Sequence, residues 1–131
     1  MSTQSNTYVL FGVVLDYEKA HKAWQHDDPA HPDLYDVLEP YIDNAFKPET
    51  NPKDGLTVLY DGMCGKYIAV GHVIAKTESH GHFDTPISAI GDTTPAVRDF
   101  LKPLSDLIEQ LNVPPDARRG ALGWHVISHY R

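Results

Sequence analysis

Two histidines and an aspartate stand at alternate positions in His80-Gly81-His82-Phe83-Asp84. Neutral imidazoles and a carboxylate are proper ligands for zinc or iron, and this spacing could present all three to one ion. A second group, His21, His26 and His31, repeats every five residues with Asp27 and Asp28 between. Steps of that size rotate side chains off a single helical face, so the expectation there is a hydrated loop. The third group is Arg118-Arg119-Gly120. Two guanidinium groups before a glycine can grip a phosphate or carboxylate through paired hydrogen bonds. The competing role for the pair is to balance the negative end of a helix closing near Asn112.

The first pattern partly resembles the H-x-H-x-D-H motif of metallo-β-lactamase-fold hydrolases. It departs at the third histidine, where Thr85 stands, and 131 residues are fewer than that fold requires. No metal or other cofactor is therefore expected, and residues 77–93 read as a long polar loop with a further edge strand at "PISAI". His72 and His125 fall within apolar strands and are expected to be hydrogen-bonded structural residues. The single cysteine, Cys64, excludes an internal disulfide framework. It lies in a glycine-flanked turn with no indicated histidine partner, which argues against nucleophilic catalysis. No Walker loop, G-x-G-x-x-G, G-x-S-x-G or paired H-x-T/S motif is present.

The elements that would carry these groups follow from hydrophobic pattern. "YVLFGVVL" (8–15) is apolar on both alternating faces, as in a central strand buried on two sides. "DYEKAHKAW" (16–24) fits a short helical turn, which "QHDDPAHP" breaks. An amphipathic helix is predicted over 33–46 from Leu34, Leu38, Tyr41, Ile42 and Ala45, kinked or shortened by Pro40. "LTVLY" (56–60), the turn "DGMCG" and "KYIAVGHVIAK" (66–76) read as a β-hairpin. Thr94 and Pro95 open a second helix striped by Val97, Phe100, Leu101, Leu104, Leu107, Ile108 and Leu111, with a bend expected at Pro103. "ALGWHVISHY" (121–130) is the last strand.

The chain thus reads as a single α+β domain over 1–131, with residues 1–6 as a frayed tail that is no signal peptide. Its β-α-β-β-α-β order resembles the ferredoxin-like fold. That resemblance implies an antiparallel sheet ordered 4-1-3-2 with two helices on one face. The other face would lie open, so a homo-oligomer, most simply a dimer, is expected to cover it. The topology gathers His21, Trp24, His26, His31, Cys64, Arg118 and Arg119 at one end of the sheet. His80, His82 and Asp84 fall at the other, near His129.

Composition narrows the function. A net charge of −7 and a lone adjacent basic pair argue against direct nucleic-acid binding. No apolar run is long enough to span a membrane, so a cytoplasmic setting is expected. The favoured reading is a non-enzymatic, oligomeric binding protein, of a kind common among viral and accessory proteins. It would sequester a small anionic, nucleotide-like ligand or inhibit a protein partner. The ligand-binding residues expected are Arg118, Arg119, Trp24, His21, His80 and His82, with none assigned to catalysis. A small histidine-dependent hydrolase or isomerase, or a structural subunit, are the alternatives.

Overall fold

The first strand, β1, runs from Ser5 to Asp16 and so begins inside the expected tail. The computed structural model describes residues 5–25, 27–42, 51–62, 64–78, 94–119 and 122–130. His26, His80, His82, Asp84, Gly120 and the "PISAI" stretch lie outside them. After β1 come helices α1 (Tyr17–Trp24) and α2 (Leu34–Leu38), then strands β2 (Thr57–Tyr60) and β3 (Tyr67–Glu78). Helix α3 (Thr94–Leu111) and strand β4 (Gly123–Tyr130) complete the chain. The order is β-α-α-β-β-α-β, with one helix more than the ferredoxin-like pattern. The sheet is antiparallel and ordered β2-β3-β1-β4, which is the strand order expected. Among the described residues no helix is long and apolar enough to cross a membrane.

Local chemistry explains where the helices differ from expectation. The stretch read as a mere turn is a full helix, because Asp16 caps it: its Oδ1 accepts from the Lys19 amide at 3.0 Å. Glu18 in the first turn and Lys22 in the last complement the helix dipole. The helix predicted over 33–46 instead stops at Leu38. Pro40 offers no amide hydrogen and crowds the preceding turn, so the chain tightens into a 3₁₀ turn over Glu39–Tyr41. By contrast α3 runs unbroken through Pro103 and buries Phe100, Leu104, Leu107 and Leu111. Leu101, expected in that stripe, is exposed.

Among the described residues, the three helices pack on one face of the sheet. Ala20, Leu34, Leu38 and the α3 residues form one core with Val13, Leu15, Val58, Ile68 and Val70. The opposite face is not open. Tyr8, Leu10, Leu59 and Ala69 on that face are at most 1% exposed within the single chain. The ground for requiring a second subunit is therefore gone.

The reason is that the sheet closes over its own face. Tyr67 pairs with Asp16 and His129 with Asn6, ten positions apart along β1. In a straight strand they would be separated by about 34 Å. Yet the Tyr67 hydroxyl lies 2.7 Å from His129 Nδ1. Strands β1 and β3 must bend sharply between them. Gly12 pairs with both Gly71 and Gly123, so three glycines stand side by side across three strands on the inner face of the bend. A Cβ at Gly12 would lie 2.0 Å from the Val70 carbonyl oxygen, and one at Gly71 would lie 2.4 Å from that of Phe11. A bulge at Val9/Leu10, which leaves Ile74 unpaired, adds twist on one side of the row.

Gly71→Ala is expected to destabilise the fold by about 3 kcal/mol or more, since the added carbon meets backbone that cannot yield. Gly62→Ala is the control, its Cβ meeting nothing closer than 3.7 Å. Urea midpoints measure both, and a Gly71→Ala protein as stable as the control would contradict the bend.

Candidate functional site

Tyr60, the last residue of β2, lies against α1 and α2 at the hairpin end of the sheet. The turn that follows is held by Asp61, whose buried carboxylate accepts from the Cys64 amide at 3.1 Å and the Lys66 amide at 2.9 Å. Gly65 takes the left-handed backbone, φ 64°, that closes the turn. Helix α1 begins directly as β1 ends, and the Tyr17 amide donates to the Lys66 carbonyl. Tyr17 and His21, one turn apart on α1, are thereby brought over Tyr60.

The result is a hydrogen-bonded cluster. His21 Nε2 is 2.7 Å from the Tyr60 hydroxyl, and the Tyr17 hydroxyl is 2.9 Å from it. The rings of Tyr17, His21 and Tyr35 surround that of Tyr60, with centroids 5.2–5.7 Å away. Tyr60 Oη has one proton and two acceptor sites, so it can donate to a neutral His21 while accepting from Tyr17. Burial lowers the His21 pKa, and Asp33 partly opposes this. Burial raises that of Tyr60 strongly, helped by the Tyr17 hydrogen bond and by the charges of Tyr17, Tyr35 and Asp33. Both groups are thus held neutral around pH 7.

Beside the cluster opens a cleft of about 780 Å³ between α1, α2 and β2. The loop after α1 forms its outer wall. Asp28 turns this loop back on itself, accepting from the Ala30 amide at 2.9 Å, and Trp24 Nε1 donates to the Pro32 carbonyl at 2.8 Å. Trp24 and His31 face each other with ring centroids 4.8 Å apart. Among the described residues, the aspartate and lysine side chains lining the cleft are Lys22, Asp27 and Asp33.

Of the residues expected to bind ligand, the structure brings His21 and Trp24 together in this cleft, with His31 beside them. It separates the arginine pair from them. Leu15 bridges to Arg118 and the Arg119 amide donates to the Val14 carbonyl, which pins that segment to β1. Arg118 instead lines a second cleft of about 600 Å³ against α3, shared with Glu109 and Asn112. Asn112 takes the left-handed conformation that ends α3. His80 and His82 lie outside the described residues. The remaining strand histidines have structural surroundings. His72 Nδ1 donates to the Gly55 carbonyl at 2.7 Å and stacks on Phe100, as expected, whereas His125, on the inner side of the sheet, departs from expectation: its Nε2 is buried without a hydrogen-bond partner among the described residues. Among the described residues no group of three His, Cys, Asp or Glu side chains could hold a metal ion.

Tyr17, Asp33, Tyr35 and Tyr60 were not anticipated. The available signal was the Tyr17/His21 spacing on a helix capped by Asp16; nothing in the sequence pointed to Tyr60 as their partner. Compared with known protein families, curated proteins and solved structures, the chain matches none.

The displaced titrations have a definite sign. A fold that favours neutral His21 gains a contribution that is full above the ordinary histidine pKa of about 6.5 and is lost as pH falls below it. One that favours neutral Tyr60 and Tyr67 has a contribution that is full below about pH 10 and is lost as pH rises beyond it. The ring carbon resonances of His21 are expected to titrate with a midpoint below 6.5, and Tyr60→Phe should flatten the alkaline fall in stability. The same substitution should cost about 1–2 kcal/mol at neutral pH by removing the hub of two hydrogen bonds. A His21 midpoint at or above 6.5 contradicts the assignment.

Proposed function

We propose that this protein is a non-enzymatic binding protein and that the cleft between α1, α2 and β2 holds a small organic ligand. The observation that carries the reading is the convergence of Trp24, Tyr35 and Tyr60 on one cleft beside a neutral, hydrogen-bonded imidazole. Its volume falls in the range of roughly 300–1,000 Å³ found for small-molecule sites. Aromatic walls supply contact area, and a few fixed polar groups supply orientation. A histidine-dependent hydrolase or isomerase is less well supported. No serine, threonine or cysteine is among the described residues lining the cleft, and His21 Nε2 is already engaged by Tyr60. The anionic ligand favoured by the arginine pair also loses ground, because that pair is not in this cleft.

The test is a panel of small aromatic and aliphatic fragments titrated into ¹⁵N-labelled protein. Binding fragments are expected to shift the amides of residues 21–24, 33–35 and 60. Tyr35→Ala removes a ring that is 43% exposed and should weaken such binding by about tenfold while leaving the fold intact. Shifts confined to the surroundings of Arg118, or none from any fragment, would overturn the reading.

A further inference from the structure

We infer that the ligand of this cleft is an organic cation, an alkylammonium group held against aromatic faces and a carboxylate. The inference rests on the cleft being a binding site and assigns the charge and class of what it binds. Three features agree on the sign.

The first is the state of the donors. An anion needs free N–H and O–H groups directed at it. The Trp24 indole N–H is engaged by the Pro32 carbonyl, and the Tyr60 hydroxyl by His21 and Tyr17. What these residues still offer to a ligand is ring surface, whose negative faces attract cations. Tyr35 and Tyr60 meet at an interplanar angle of 77°, so their planes form a corner instead of a flat stack.

The second is Asp33. It occupies the N-cap position of α2, where an aspartate ordinarily accepts from the helix amides, yet its side chain makes no capping hydrogen bond. It lines the cleft together with His21, Tyr35 and Tyr60, and its charge is felt at both His21 and Tyr60. The third is the balance of charge. Among the described residues lining the cleft, Lys22 is the one lysine or arginine, against Asp27 and Asp33, and the chain as a whole carries −7. Long-range attraction therefore favours a cation and opposes an anion.

Three molecules of one shape and different charge provide the test: choline, its neutral isostere 3,3-dimethyl-1-butanol, and the anion 3,3-dimethylbutyrate. Each is titrated into ¹⁵N-labelled protein at pH 7 and low salt. Choline is expected to shift the cleft amides with an affinity about tenfold or more above that of the neutral isostere, and the anion to leave them unmoved. Asp33→Asn should abolish most of the preference for choline over the neutral isostere. If Asp33→Asn does not fold, added salt supplies the same comparison, because it screens the attraction for choline alone. Equal binding of the cation and its neutral isostere, or tighter binding of the anion, overturns the cation inference and leaves the binding site standing. Fragments that bind the cleft while choline does not have the same consequence. If neither choline nor any fragment reaches the cleft, the binding reading falls with it.

Discussion

Three glycines in register across neighbouring strands set the shape of this protein. A sheet with side chains at Gly12 and Gly71 could not bring its backbone so close on the inner face, where an added Cβ would sit 2.0–2.4 Å from a carbonyl oxygen, and Gly123 stands beside them in register. With those side chains absent, the two long strands bend there and the sheet folds onto itself. Tyr8, Leu10, Leu59, Ala69 and Val73 fill the enclosed space, and the Tyr67–His129 hydrogen bond ties its two ends together. Burial raises the Tyr67 pKa well above the ordinary tyrosine value, as expected for a phenol drawn into such a space. The three described helices lie on the other face of the sheet.

That asymmetry sets up the candidate site. The half of the sheet beyond the glycine row carries β2, and Tyr60 at its end meets helices laid on the outer face. Helix α1 starts the moment β1 ends, with Asp16 as its cap, so the placement of Tyr17 and His21 is fixed by the strand before them. Pro40 shortens the following helix and confines α2 to a few residues carrying Tyr35 and preceded by Asp33. Two local devices, a cap and a proline, thus hold a hydrogen-bonded cluster at the mouth of a cleft. The cleft takes its chemical character from what those bonds leave over: ring faces and carboxylates.

Much of the architecture was legible in the sequence because it rests on periodicity. The alternating apolar runs located all four strands, and their topology gave the observed strand order. The long stripe of α3 was equally plain, apart from Leu101. What escaped was the consequence of isolated glycines inside the apolar runs "LFGVV", "AVGHV" and "LGWHV". A lone glycine in a strand signals a bulge or close approach, but only the pairing register reveals that three of them coincide. Without that bend the inner face seemed to require a second chain. The cluster around Tyr60 was hidden for a related reason. Its members are 39 and 43 positions apart along the chain, and no local pattern links them. Arg118 and Arg119 stood out by residue type, and topology grouped them with His21 and Trp24. The topology brought their backbone to the same end of the sheet but turned Arg118 into another cleft.

The closure of the sheet is best tested by measuring nuclear Overhauser effects between the ring protons of Tyr67 and His129, using a sample that mixes isotopically labelled and unlabelled chains. Two strand residues whose partners lie ten positions apart on β1 have no reason to be in contact unless β1 and β3 bend. Strong cross-peaks between the two rings, arising within one chain, are the expected result. If those cross-peaks are missing, or occur only between chains, the inner face is covered by a second subunit and the account of the bend is wrong.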